Sequence, residues 1–236
     1  MAKEILVTAK KISKREKKYK KSKIIVTIVL LLLVLIFLIL SIVYKGGNFT
    51  ITLDPRLYSE SGIVIYEDPE LKESKKVLSA NNLEFIDNIS VDWLPANIHS
   101  EAYGSHNGEN YIAYTFFIEN TGKETINYWY SVVIDDVIKQ VDEAVRIMVY
   151  LNDNRKIYAK RNIHTNTPED DTTEFYSEKE PVVEERKDFK PEDVDKFTIV
   201  IWLEGDDPDC VDNILGGEIK MHMEIREEHK EKKDER

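Results

Sequence analysis

Five carboxylates crowd into nine residues toward the end of this chain, in the run Glu204-Gly-Asp206-Asp207-Pro-Asp209-Cys-Val-Asp212-Asn213. Glu204, Asp206, Asp207, Asp209 and Asp212 offer the hard oxygen ligands that Ca²⁺ selects, and that ion takes about 6–8 of them. The spacing is not that of an EF-hand, because the sixth position counted from Asp207 is Asp212 where that loop needs glycine. The alternative is a solvated loop between two strands, with Asp209 or Asp212 capping a short helix. No other cofactor is suggested.

Catalytic spacing is not found elsewhere. Gly104-Ser105-His106-Asn107-Gly108 has its serine misplaced for a nucleophile elbow and reads as a polar loop tip. His99, His106, His164, His222 and His229 are scattered, with no pair at the i, i+4 spacing that sets two ligands on one helix face. Cys210 is the single cysteine, so the fold must be held by its own core without an intrachain disulfide.

The elements that must position these residues read as strands. Ile219, Met221, Met223 and Ile225 alternate with Glu218, Lys220, His222 and Glu224, giving one buried and one wet face. Phe197, Ile199, Ile201 and Leu203 alternate with Thr198, Val200 and Trp202 in the same way. Tyr111–Ile118 and Ile126–Ile134 are expected to form a hairpin through the turn Asn120-Thr121-Gly122-Lys123. Asn152-Asp153-Asn154 separates strands 145–151 and 156–160, and residues 49–53, 63–66 and 83–93 are further candidates. A short helical turn is expected around 139–144, and 163–196 reads as a long exposed excursion rich in acids. Tyr111, Tyr114, Phe116, Phe117, Tyr128, Trp129 and Tyr130 make the central pair aromatic on both faces. Its second face therefore needs a cover, with a segment of the same chain favoured over a partner chain. Many short strands with little helix indicate an all-β fold, a β-sandwich or jelly roll.

That domain follows a membrane segment. Residues 24–44 carry no charge, and a helix of that length is about 31 Å long, enough for a hydrocarbon core of roughly 30 Å. The formal net charge of −11 divides into +8 over residues 1–23, zero over 24–44 and −19 over 45–236. Lys17, Lys18, Lys20, Lys21 and Lys23 belong to the basic side, and the positive-inside rule keeps it in the cytoplasm and exports the remainder. The apolar run is longer than the core of a cleaved signal peptide and lacks a small-residue cleavage site, so an uncleaved signal-anchor is expected. The organisation is then a basic cytoplasmic segment (1–23), a transmembrane helix (24–44), an extracellular domain (45–225) and a charged tail (226–236). No nucleic acid is expected as a partner of so acidic a domain.

Phe116-Phe-Ile-Glu-Asn120-Thr-Gly122, the strand Thr198-Ile-Val-Ile-Trp202-Leu-Glu-Gly-Asp206, the pair Gly216-Gly217 and the alternating Ile219–Ile225 resemble the camelysin/TasA family of exported Gram-positive surface and biofilm-fibre proteins. The resemblance spans about residues 83–225. It implies a jelly-roll sandwich and assembly by strand donation between subunits, for which Phe49, Ile51 and Leu53 in the segment 47–53 form the candidate pairing interface. A retained helix departs from that family's cleaved leaders and favours a surface-tethered relative over a free fibre subunit. A protease activity described in the family has no catalytic constellation here to carry it.

These readings converge on a non-catalytic, membrane-anchored protein of the bacterial envelope. Its expected partners are the lipid bilayer and a second copy or another surface protein. The competing readings are an ectodomain that senses a ligand or Ca²⁺ through a separate membrane partner and, last, an exported metallohydrolase.

Overall fold

A computed structural model describes residues 18–38, 48–81, 83 and 85–228, and the chain divides into two compact units, Met1–Gly47 and Asn48–Arg236. The first unit contains α1 (Lys18–Leu38), a helix of 21 residues, long and apolar enough to cross a membrane. Lys18, Lys20, Lys21 and Lys23 lie in its first described turns, all exposed. Lys17 and residues 39–44 of the expected span lie outside the described residues. The hydroxyl of Thr27, the polar side chain within the described part of the apolar run, donates to the Lys23 carbonyl at 3.0 Å and is thereby satisfied without water.

The second unit is mostly β. Its elements are β1 (Thr50–Leu53), α2 (Pro55–Ser59), β2 (Ile63–Tyr66), β3 (Val77–Ser79), α3 (Ile98–Glu101), β4 (Gly104–Ser105), β5 (Tyr111–Asn120) and β6 (Ile126–Ile138). They continue with β7 (Val145–Leu151), β8 (Asn154–Ala159), β9 (Thr173–Glu174), β10 (Val182–Phe189), β11 (Val194–Leu203) and β12 (Glu218–Arg226). A five-stranded sheet runs β10-β6-β12-β1-β3; a seven-stranded sheet runs β2-β5-β11-β7-β8-β9, with β4 also on β5. β1 lies parallel to β12, while β5 and β7 flank β11 antiparallel.

One face of each sheet feeds a single core, which makes the pair a sandwich. Ile51, Val132, Met223 and Ile225 come from the first sheet, and Ile65, Phe116, Ile147 and Phe197 from the second. Across the seam, the rings of Tyr130 and Phe197 meet edge to face with centroids 5.0 Å apart. Buried Asp195 at the start of β11 ties the layers together with polar bonds. Its carboxylate accepts from the Tyr128 hydroxyl on β6 (2.7 Å), from Arg186 Nε on β10 (2.9 Å) and from Asn152 Nδ2 in the β7–β8 turn (3.1 Å). Burial beside that carboxylate raises the Tyr128 pKa well above the ordinary phenol value.

The second face of the seven-stranded sheet is covered by the same chain. Ile89 and Ile98, with Val91 and Leu94 beside them, pack on Ala113, Met148, Val200 and Trp202. Residues 83–93 are consequently not the strand expected: Val91–Trp93 is a 3₁₀ turn, and Ile89 makes one bridge to Glu204. Laid over the sheet, this stretch leaves Trp202 only 1% exposed, and each large apolar side chain so buried contributes roughly 1.5–3 kcal/mol.

Two other expectations change. β5 and β6 are not a hairpin, since they lie in different sheets and the Asn120-Thr-Gly122 turn carries the chain from one sheet to the other. The turn is a clasp. Asn120 Nδ2 donates to the Phe189 carbonyl (2.9 Å) and the Glu124 carbonyl (3.0 Å), while Thr121 N donates to the Gly62 carbonyl (3.0 Å). Glycine is required there, because a Cβ at Gly122 would lie 2.1 Å from the Ser61 carbonyl oxygen. The stretch 163–196 also contains β10, an edge strand paired with β6, whose buried Val182 and Phe189 flank the charged Glu184-Glu-Arg-Lys-Asp188. Charge on an edge strand blocks further pairing, and it gives the sequence the look of a loop.

The turns expected on either side of β7 are present. A 3₁₀ turn at Val141–Glu143 leads into β7, and Asn152 at φ 55° turns β7 into β8. Strand β12 extends through Arg226, whose guanidinium lies 2.9 Å from Glu180, and residues 229–236 of the expected tail lie outside the described residues.

Candidate functional site

Beyond β11 the chain makes a tight carboxylate-rich loop, and the five acids take different roles. Glu204 continues the strand edge: its backbone amide donates to Ala144 (2.9 Å), and its Oε2 accepts from Trp202 Nε1 (3.0 Å) and the Val91 amide (3.1 Å). It pins the cover segment to the sheet. Asp206 and Asp212 are exposed. Asp207 and Asp209 turn inward, each only 5% exposed as a residue. The turn 207–210 explains why: Asp207 Oδ1 accepts from the Asp209 amide (2.7 Å), and the Asp207 carbonyl from the Cys210 amide (3.0 Å). Neither Asp209 nor Asp212 caps the following 3₁₀ turn, whose N-cap position is Val211.

A second loop, 161–172, meets this one. Asn162 organises it, its Oδ1 accepting from the amides of His164 and Thr165, both at 3.0 Å. The Ile163 amide donates to Asp209 Oδ2 at 2.8 Å, which joins the loops. Glu169 then reaches the aspartates: one carboxylate oxygen from each of Glu169, Asp207 and Asp209 lies within 4.8 Å of the others. This is the one cluster of metal-ligating side chains of its kind among the described residues. Arg146, on the outer face of β7, completes the site with NH2 2.5 Å from Asp207 Oδ2 and 4.0 Å from Glu169 Oε2. His164 Nε2 stands 3.5 Å from Asp209 Oδ1 on the open side. Burial, and after it the charge of Asp207, raises the Glu169 pKa above its ordinary value, against a bond from Asn162 and the attraction of Arg146. Chemically, the site is three carboxylates and one guanidinium, a donor set suited to holding a cation.

Of the acids singled out in the sequence, then, Asp207 and Asp209 come together, whereas Glu204, Asp206 and Asp212 stand apart. Glu169 was missed because it lies in another loop. The available signals were Arg146, a lone base in the apolar strand Val145–Leu151, and the acid-rich stretch containing Glu169. Among the described residues the histidines do not assemble: His99 stacks on Tyr150, His106 bonds Thr115 at 2.9 Å, and His222 lies between Asp135 (2.8 Å) and Glu224 (3.1 Å), while His229 lies outside the described residues. Phe49, Ile51 and Leu53 are buried in the domain's own core, and β1 has neighbours on both sides, β12 and β3.

No protein-family model and no curated protein matches this chain. Among solved structures it is similar to a β-glucosidase from Kluyveromyces marxianus in complex with glucose, at 12% identity over 71% of this chain and 16% of that one, with a TM-score of 0.27. A selenomethionine-labelled form of the β-glucosidase gives 12% identity over 68% of this chain and 17% of the other, with a TM-score of 0.25. The chain thus spans about a sixth of the length of the structures it matches, and likenesses this weak carry no functional argument.

Proposed function

We propose that this chain is a single-pass membrane protein of the bacterial envelope that displays its β-sandwich outside the cell and works by interaction, without catalysis. The observation that carries this reading is α1. Its apolar side chains are exposed all round, between 44% at Ile36 and 69% at Phe37, with lysines gathered in its first described turns. Each Leu, Ile, Val or Phe near a bilayer centre favours insertion by about 0.3–0.6 kcal/mol, and the positive-inside rule holds the lysine end in the cytoplasm. The sandwich has its own core, and its clustered carboxylates beside a guanidinium support a reading of binding over catalysis.

The family resemblance supports a jelly-roll version of the sandwich and a role in surface or matrix assembly with a second copy. Strand donation through Phe49, Ile51 and Leu53 would then require β1 to leave its place between β12 and β3. Alkaline carbonate extraction of membranes tests the anchor. The full chain is expected to stay in the pellet, and a variant lacking residues 18–38 to be released; release of the full chain contradicts the reading.

A further inference from the structure

We propose that Glu169, Asp207 and Asp209 form a binding site for one hard divalent cation, Ca²⁺ in kind, that clamps the 161–172 loop to the 204–210 loop. The argument starts from how each carboxylate is used. In each aspartate, one oxygen is spent on holding the side chain in place. Asp207 Oδ1 accepts from the Asp209 amide, and Asp209 Oδ2 from the Ile163 amide. Of the other oxygens, Asp209 Oδ1 and Glu169 Oε1 are buried without a hydrogen-bond partner, while Asp207 Oδ2 meets only the Arg146 guanidinium, at 2.5 Å. Fixing a ligand through its second oxygen is how proteins orient carboxylates toward a metal.

Asp209 is the decisive residue. Its side chain is 3% exposed, yet Oδ1 has no hydrogen bond, and His164, itself 72% exposed, stands 3.5 Å from it. An ionised oxygen left so is costly to bury. The charge count points the same way: three carboxylates face one guanidinium, leaving two negative charges in a buried corner. Arg146 lies against Asp207 and is 4.0 Å from Glu169, so it cannot satisfy Asp209 as well. A divalent ion balances the remainder.

The donor set selects the class. All three offered atoms are carboxylate oxygens, which suit Ca²⁺ or Mg²⁺ over the softer metals. Cys210 Sγ is engaged with Asn88 Nδ2 at 3.3 Å. Three protein ligands at the join of two loops suit the flexible coordination of Ca²⁺ better than the strict octahedron of Mg²⁺, with water filling the other positions. So few ligands, beside a guanidinium, imply a Kd of about 10⁻⁴–10⁻³ M, the range of extracellular modules. The site lies wholly within the sandwich unit, so its failure would leave the anchoring proposal standing.

The test is a calcium titration of the full chain in detergent micelles after EDTA treatment and dialysis, read by calorimetry and thermal unfolding. One Ca²⁺ per chain is expected, with 10 mM CaCl₂ raising Tm by about 5–10 °C over EDTA if Kd is near 10⁻⁴ M. Matched ionic strength in NaCl should not reproduce the rise. Asp209→Asn should abolish it; because that side chain is buried, Glu169→Gln, with its more exposed carboxyl, serves as the second variant and should also lose the response. Asp206→Asn, an exposed acid of the same loop, should keep it. An equal Tm in Ca²⁺ and EDTA, a Glu169→Gln chain that responds like the parent, or binding of Zn²⁺ in preference to Ca²⁺ would each overturn the proposal.

Discussion

Removing the Asp195 carboxylate should loosen the sandwich more than its single position suggests. In Asp195→Ala three donors lose their acceptor at once: the buried Tyr128 hydroxyl, Asn152 Nδ2 and Arg186 Nε. Breaking a buried ion pair by deleting one partner costs about 3–5 kcal/mol. Arg186 is 26% exposed, so water and Asp193, 3.8 Å from its guanidinium, recover part of its share. The stranded Tyr128 hydroxyl adds about 1–3 kcal/mol. A net loss of about 3–4 kcal/mol follows, or roughly 6–16 °C in Tm at the 2–4 °C per kcal/mol expected for a domain of this size. Urea unfolding of the full chain in micelles, followed by near-UV circular dichroism, gives the free energy directly. Tyr128→Phe serves as the partner variant, and because it removes one bond and strands no charge it should cost only about 1–1.5 kcal/mol. If Asp195→Ala unfolds within 1 kcal/mol of the parent, the carboxylate does not bind the two sheets together as described.

Two further outcomes rest on local geometry. The His222 pKa is raised, first by its hydrogen bond to Glu224 and also by Asp135, so its stabilising contribution is complete below pH of about 6.5 and is lost as pH rises through the folded value. His222→Gln should remove the fall in Tm above that pH, whereas half-buried His106, whose pKa is lowered by desolvation, acts only below it; an unaltered pH slope would refute the assignment. Gly122→Ala places a methyl group against the Ser61 carbonyl and should cost about 1–3 kcal/mol in urea unfolding, and an unchanged midpoint would show that the clasp can yield.

The inner faces of β11 and β12 were legible in the sequence because period-2 alternation records which side meets the core. The connections between strands were not. Asn120-Thr-Gly122 has the chemistry of a tight turn, but turn chemistry does not say whether the chain returns beside itself or crosses to a second sheet. The clasp with Gly62 decides that, and Gly62 lies far away in sequence. β10 was hidden by the charges that protect an edge. Residues 83–93 were mistaken for a strand because their apolar side chains serve a cover, which also needs hydrophobic contacts but not pairing. At the candidate site, Asp207 and Asp209 were within reach because one short turn orients both. Glu169 and Arg146 join them only through the packing of separate segments, and the inward or outward choice among five neighbouring acids depends on backbone amides that no pattern of charges records.

The central claim is that the sandwich stands on the opposite side of the membrane from the lysine-rich segment. It is tested most directly by cysteine accessibility in intact cells. With Cys210 replaced by Ser, one new cysteine is placed either at Lys10 or at Asp153, the exposed residue of the β7–β8 turn. A membrane-impermeant maleimide is expected to label Asp153→Cys in intact cells and Lys10→Cys only after the membrane is opened. Labelling of Lys10→Cys in intact cells, with Asp153→Cys protected, would contradict the account.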